Sequence, residues 1–415
     1  MKKNLRNVLV LALGLMTTVS FAQDWNVDSR TRIDMSLDEG EKSTNQRVTL
    51  GTTWGGSDWG IHLSTDVNYT LKGGNADVDP GVGIYEAYAS TNLFGMADMT
   101  IGRQALSYGS GALISGRDWS TNRTTWDGMS FDLGLSDIAT ITLGYASMNG
   151  GFSDAINGVD GVDAVAGVTG IAYDAGGDST GFAINQTTGL VEMTYSPEIE
   201  AVDAVDAVAG VDAVTGVDAA ATDDIGNMYV NIAGEFSGWS VNVLYMTRTT
   251  SDDAATGIDI NGELMGASIS ASLNTDFDGG KMNSYGLAYA VNDDMSVNVG
   301  MTTYGETGFS MAGTDMSGGD WSNGQLGYLG ANDEDLSYGL SYNMGGISLS
   351  ASMHSITNSA NEDHDRSVTQ IGIGYALGDN ASLGLSYATD ATEAVTGGAE
   401  ATDNKYTWIT LNVTP

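Results

Sequence analysis

The fold is decided by DEDLSYGLSYNMGGISLSASMHSITN, residues 333–358. Leu336, Tyr338, Leu340, Tyr342 and Met344 alternate with Ser337, Gly339, Ser341 and Asn343. After Gly345-Gly346 the pattern resumes, with Ile347, Leu349, Ala351 and Met353 alternating with Ser348, Ser350, Ser352 and His354. Successive side chains of a β-strand point to opposite faces, so each half is a strand with one apolar and one hydrophilic side. The glycine pair supplies the positive φ that a tight hairpin turn requires.

The same period runs through most of the chain. In residues 25–37, Trp25, Val27, Ile33, Met35 and Leu37 share a face opposite Asn26, Asp28, Arg30, Arg32 and Asp34. In residues 61–72, Ile61, Leu63, Val67, Tyr69 and Leu71 oppose His62, Ser64, Asp66, Asn68 and Lys72. Eighteen strands are expected, at 25–37, 44–54, 59–72, 83–93, 96–106, 124–135, 139–149, 227–236, 239–249, 255–260, 263–274, 281–292, 295–305, 333–344, 347–358, 366–377, 381–390 and 404–414.

A soluble sandwich alternates too, so the connections decide. Every second one is tight: Gly55–Asp58, Phe94–Gly95, Ser136–Ile138, Ser237–Gly238, Asn261–Gly262, Asp293–Asp294, Gly345–Gly346 and Gly378–Asn380. The others are longer, and 107–123, 150–226 and 306–332 are much longer. Short turns on one rim and long loops on the other describe a transmembrane barrel, with short periplasmic turns and long extracellular loops. Trp54, Trp59, Phe94, Phe236 and Trp239 gather beside the tight turns, where an interfacial girdle belongs. The count is even only if the weak segment 255–260 is a strand, with Asn261-Gly262 as its turn.

Composition excludes other classes. The 415 residues carry 53 acids against 15 bases, a net charge of -38, with no Cys and 3 His. Disulfides, thiolate chemistry and Cys-ligated metals are excluded. Nucleic acid is not an expected partner, because affinity for its phosphates comes from Lys and Arg. Lys2, Lys3 and Arg6, the apolar run Val8–Met16, and Ser20 and Ala22 before a cleavage point make residues 1–22 an expected export signal. That leaves 23–415 as one barrel domain.

Within the insertion 150–226, a Val-Asp-Ala-Val-x-Gly hexapeptide recurs at Val162–Gly167, Val205–Gly210 and Val211–Gly216. One Asp per repeat is thin for calcium, which takes six to eight oxygens, so a repeat-expanded extracellular loop is expected rather than a calcium-binding solenoid. Asp252-Asp253, Asp333-Glu334-Asp335 and Glu362-Asp363-His364-Asp365 read as solvated loop acids. No spacing gives His62, His354 or His364 a nucleophile and an orienting third group, so no catalysis, cofactor or resident metal is expected.

The scarce bases are unevenly placed. Arg30, Arg32 and Arg47 fall on hydrophilic faces of neighbouring strands, and Arg117 and Arg123 lie in a loop that could enter the lumen. Asp28, Asp34, Asp66, Glu86 and Asp132 are the nearby acids. Opposed charges across a pore sort solutes, whereas the same residues on adjacent strands can simply pair to stabilise the wall.

Residues 84–131 resemble the alginate-export family of outer-membrane porins. The likeness rests on Glu86-Ala87-Tyr88, on Gly102-Arg103-Gln104 with Leu106 and Tyr108, on Arg117-Asp118-Trp119, and on Arg123 with Trp126-Asp127-Gly128. It implies an eighteen-stranded barrel in which Glu86, Arg103, Asp118, Arg123 and Asp127 line or shape the pore. Strict alternation from Met99 and Ile101 conflicts in one place, putting Arg103 on the lipid face. Either Gly102 begins a bulge or Arg103 stands beyond the hydrocarbon zone.

The sequence therefore gives an all-β chain, an eighteen-stranded transmembrane antiparallel barrel in contact with outer-membrane lipid. Its expected role is passive diffusion of small hydrophilic solutes or ions, past a constriction drawn from the Arg30, Arg32, Arg47, Asp66, Glu86, Arg103, Arg117, Asp118, Arg123 and Asp127 set. A plugged structural or adhesive barrel and a channel for anionic sugars are the alternatives. A homo-oligomer is compatible with it.

Overall fold

The computed structural model describes residues 23–35, 43–71, 81–118, 120–121, 123–135, 138–148, 182–184, 191–193, 226–317, 326–361, 365–392 and 402–414. The export signal expected at 1–22, the hexapeptide repeats and the acids 362–364 lie outside them.

The chain divides into two compact units, Gly150–Asp223 and the remainder. In the smaller unit, β8 (Phe182–Ile184) and β9 (Val191–Met193) pair with each other.

The larger unit is a closed antiparallel barrel. Its first seven strands are β1 (Gln23–Asp34), β2 (Ser43–Gly55), β3 (Trp59–Thr70), β4 (Gly81–Leu93), β5 (Ala97–Gln104), β6 (Trp126–Leu135) and β7 (Ala139–Met148). The ring continues with β10 (Gly226–Phe236), β11 (Trp239–Arg248), β12 (Ala254–Leu264), β13 (Ala267–Thr275), β14 (Lys281–Asn292), β15 (Met295–Tyr304) and β16 (Asp333–Met344). It ends with β17 (Ile347–Asn358), β18 (Arg366–Ala376), β19 (Ala381–Thr392) and β20 (Thr402–Val413). Each of these 18 strands pairs with its neighbours in chain order, β7 with β10, and β20 closes on β1 from Ser29↔Val413 to Asp34↔Trp408.

Closure explains why alternation is so strict. In hydrocarbon a backbone N–H or C=O has no water to bond, so spanning strands must have no free edge. The outward faces present Tyr285, Leu287 and Tyr289 on β14, Ile371, Ile373 and Tyr375 on β18, and Leu383, Leu385 and Tyr387 on β19, all exposed. This belt is the surface a bilayer covers. The inward faces of the same strands are built of Ser284, Gly286, Gln370, Gly372, Ser382 and Ser386, which suit water.

The tight turns share one rim. Phe94-Gly95, Ser237-Gly238, Met265-Gly266 and Gly345-Gly346 all have positive φ at both residues, as type I′ hairpins require. One turn differs from expectation: β12 runs on to Leu264, and the chain reverses at Met265-Gly266, not at Asn261-Gly262. The cause is pairing with β11, whose start, Trp239, sits opposite Gly262. The Trp239 ring covers Gly262 so closely that a Cβ there would collide with it. The expected strand 255–260 thus lengthens, and the expected strand 263–274 begins at Ala267.

The core lies towards the long-loop rim. There the lumen faces change from Ser and Gly to Leu244 and Met246 on β11, Ile356 on β17, Val368 on β18 and Trp408 on β20, all buried. They pack around Leu106, Leu113 and Ile114 of the β5–β6 loop and Phe309, Met311 and Leu329 of the β15–β16 loop. Full burial of each such side chain stabilises by about 1.5–3 kcal/mol. Both loops therefore fold into the barrel.

Met265 is 95% exposed with φ 54, a left-handed conformation that Asn adopts more readily. Met265→Asn should stabilise the folded barrel by about 1 kcal/mol, read from urea unfolding in lipid vesicles. A loss of stability would mean that the chain does not turn at this residue.

Candidate functional site: the neck of the barrel

The β5–β6 loop is held at both ends. At one end Arg30 of β1 donates to the backbone oxygens of Asp118 and Ser120, each at 3.0 Å. Arg47 of β2 donates to the same two oxygens at 3.1 and 2.9 Å. Arg30 and Arg47 are directly paired across the strands, which places both guanidinium groups under one stretch of loop. Hydrogen bonds from a charged donor contribute about 1.5–3 kcal/mol each when well made. Two like charges tolerate this proximity because carbonyl oxygens face them.

At the other end, Ser272 of β13 donates to Ser110 Oγ at 3.0 Å, and Gly109 rests against Asp259 and Asn242. Going round the ring, β12 is nine strands from β1 in either direction. The loop therefore crosses the lumen from wall to wall.

A buried ion pair braces it. Arg123 Nε reaches Asp66 Oδ2 at 3.0 Å, and the two side chains are only 9% and 8% exposed. Thr49 donates to Asp66 Oδ1 at 2.8 Å, and the Arg123 guanidinium stacks 3.3 Å from the centre of the Tyr85 ring. Burial is the largest single influence and works against the charge of Arg123, but the bond to Asp66 together with the neighbouring Tyr85, Asp66 and Asp118 groups outweighs it and holds the guanidinium above its ordinary pKa. Tyr85 enters by a bulge: Ser64 pairs with Glu86 while Thr65 pairs with Ile84, so both Tyr85 and Glu86 turn inward. Glu86 Oε1 then accepts from Ala105 N at 3.1 Å, holding the start of the loop.

The β15–β16 loop locks onto the first. Asp118 N donates to Asp315 Oδ1 at 2.9 Å, Asp315 N to Ser115 Oγ at 2.6 Å, and the Tyr328 hydroxyl to Ala112 O at 2.7 Å. Burial pushes the phenols of Tyr108 and Tyr328 above their ordinary pKa, so both stay neutral hydrogen-bonding groups. Asp276 in turn anchors the second loop, accepting from Ser310 N at 2.8 Å.

Of the ten residues expected at the constriction, Arg30, Arg47, Asp66, Glu86, Asp118 and Arg123 meet at this loop. Arg32 shares their lumen face, one position of the same parity from Arg30. Arg117 lies in the loop with φ 51, in a turn closed by Ser120 N to Arg117 O at 2.9 Å. The Asp118 carboxylate is 76% exposed, so it is the backbone of this residue that is pinned.

Arg103 and Asp127 are corrected. They stand opposite each other on the outer face, with no register shift, on the parity of Ile101 and Met129. Arg103 Nε and Nη2 meet the two Asp127 oxygens at 2.8 Å each. Gly102 takes φ 130 without starting a bulge, and Arg103 stands at the last turn of the ladder, towards the long-loop rim. They pair to stabilise the wall and do not line the pore.

Tyr85, Asp276, Asp315 and Tyr328 escaped the sequence reading. The signal available was apolar residues breaking the lumen-face pattern, such as Ile356 after His354 and Val368 before Gln370. Among the described residues, no three His, Asp or Glu side chains converge as a metal centre.

No protein-family profile matches the chain, and no curated protein matches its sequence. Solved structures do match its fold. Pseudomonas aeruginosa OccK11 (OpdR) aligns with a TM-score of 0.60 at 11% identity, covering 95% of this chain and 96% of that one. Pseudomonas aeruginosa OpdK, solved with vanillate, gives 0.61 at 10%, covering 95% and 98%. Acinetobacter baumannii OccAB3 gives 0.61 at 9%, covering 95% and 99%. The barrel has the fold of these bacterial porins.

Breaking a buried pair by removing one partner costs about 3–5 kcal/mol. Asp66→Ala should destabilise the barrel by about that amount, and Asp66→Ala with Arg123→Met should recover most of it. Urea midpoints of the three proteins test this, and an additive double variant would mean that the pair is not coupled.

Proposed function

We propose that the protein is a bacterial outer-membrane porin through which small hydrophilic solutes and ions diffuse passively. The observation that carries this reading is the β5–β6 loop, pinned across a lumen whose wall towards the tight-turn rim is rich in Ser, Gly, Thr and Asn. Such a wall wets a channel without binding its contents strongly, and a clamped loop fixes the calibre. The export signal read over residues 1–22 and the fold of the porin neighbours support the same localisation.

Charge sets the finer reading. Arg30, Arg32 and Arg47 make β1 and β2 the basic side of the neck. The lumen faces of β10–β16 carry Glu235, Asp259, Glu263, Asp333 and Asp335 against Arg248. OpdK was solved with vanillate, and the basic side here supports a subsite for a small solute that bears a carboxylate. The resemblance of residues 84–131 to alginate-export porins supports the same broad class. A polyanion conduit would call for bases round the whole lumen, which the acidic wall opposes, so small solutes are favoured over polymers. The insertion 150–226 is read as an extracellular loop and not as the plug of an adhesive barrel.

Planar-bilayer recording of the mature protein tests the reading. Stable ohmic steps are expected, and Arg30→Gln with Arg47→Gln should give larger, noisier steps and a reversal potential moved towards cations. A correctly inserted but silent barrel, still silent without residues 150–226, would overturn it.

A further inference from the structure

The register of β5, β6, β7, β10 and β11 lays the outer face out in rows. Arg103, Asp127, Ser147 and Gly226 stand in one row, paired strand to strand. The next row towards the tight turns is Ile101, Met129, Tyr145 and Met228, and the one after it holds Phe131, Leu143, Val230 and Tyr245. A row that opens on a guanidinium and a carboxylate thus lies directly against two apolar rows.

The apolar rows are not flat. Met129, Phe131, Leu143, Tyr145, Val230 and Tyr245 line a groove of about 500 Å³. Gly226 shapes its upper end: the Tyr145 hydroxyl leans over this glycine, where a Cβ would collide with it, so the ring points towards the long-loop rim.

The row of Arg103 and Asp127 marks the edge of the hydrocarbon. Asp127 stands eight residues from Leu135, the tight-turn end of β6. Thr247 on β11, Thr275 on β13 and Thr303 on β15 stand at the same separation from Trp239, Ala267 and Met295, and there each outward apolar run gives way to a hydroxyl. At this height the acyl chains of the outer leaflet end and its headgroups begin.

Among the described residues, Arg103 is the one arginine on an outer face. A guanidinium has five N–H groups. Nε and Nη2 each give one to Asp127 at 2.8 Å, and Nη1 reaches Ile84 O only at 3.5 Å, which leaves two with no acceptor among the described residues. The Arg103 and Asp127 side chains are 27% and 44% exposed, so both face what surrounds the barrel. Guanidinium matches phosphate in geometry and charge, and an apolar groove beneath it suits an acyl chain. We propose that Arg103 and this groove hold one outer-leaflet lipid, its phosphate on the guanidinium and an acyl chain over Val230. Asp127 fixes the guanidinium against the wall through two bonds, and its own charge opposes the phosphate. The site rests on the barrel and its place in the outer membrane, and is independent of conduction.

Native mass spectrometry of the refolded full barrel in detergent tests this, with lipid A, lipid A stripped of its phosphates, and sodium phosphate as probes. One lipid A per barrel should stay bound, about tenfold more tightly than the stripped lipid, and sodium phosphate should not displace it. Val230→Trp fills the groove from the lipid side and should weaken both lipids about tenfold. Asp127→Asn removes the opposing charge and should tighten lipid A about threefold, a gain that cannot come from misfolding. Asp127→Asn with Arg103→Gln should bind the two lipids equally. Equal binding of the two lipids by the unaltered barrel, or displacement by phosphate, would overturn the proposal. So would no loss in Val230→Trp, no gain in Asp127→Asn, a preference that survives in the double variant, or paired barrels in place of bound lipid. A silent barrel that retains lipid A overturns only the porin reading, and a conducting barrel that does not retain it overturns only this one.

Discussion

A chain that crosses hydrocarbon as strands must leave no backbone group unpaired, and every other feature of this barrel follows from that demand. It requires β20 to return to β1, joining residues from opposite ends of the sequence at Ser29↔Val413. It dictates the period of two, since each side chain must suit either lipid or water. It also forces irregular backbone inward, where the loops can find partners in side chains of the wall.

Those partners account for the neck. A loop lacks the ladder of hydrogen bonds that a strand enjoys, so its carbonyls need donors from elsewhere. Arg30 and Arg47 supply them to Asp118 and Ser120, and Tyr328 supplies one to Ala112. Leu113, Ile114, Phe309 and Met311 add the apolar contact that keeps both loops from solvent. The arginines are therefore fasteners of the backbone that crosses the lumen, and under the proposed porin reading they are also the basic surface that solutes pass. Substituting them changes charge and calibre together.

The barrel was legible because its signal is repeated in every strand. Boundaries agree within a few residues along most of the ring; Arg30 and Arg47 were recognisable as scarce bases on hydrophilic faces, Asp66 as a nearby acid, and Arg123 as a base in a loop that could enter the lumen. The exceptions have physical causes. Asn261-Gly262 and Met265-Gly266 both carry turn chemistry, and only pairing of Trp239 with Gly262 decides between them. Tyr85 points inward through a bulge, which moves one residue against the period. Arg103 invited transfer from a family motif, yet its parity already placed it outside, and the register keeps it there. The contacts of Asp315 and Asp259 are made between segments far apart in sequence, so no local pattern announces them.

The fixed crossing of the lumen has a mechanical consequence. A loop fastened to β1 and β2 at one end and to β12 and β13 at the other is a chord across the ring. If the surrounding lipid squeezes the barrel towards an ellipse, the chord must slacken, tighten or resist. The width of the passage and the roundness of the wall are then a single variable, so lateral pressure in the membrane acts on the neck directly.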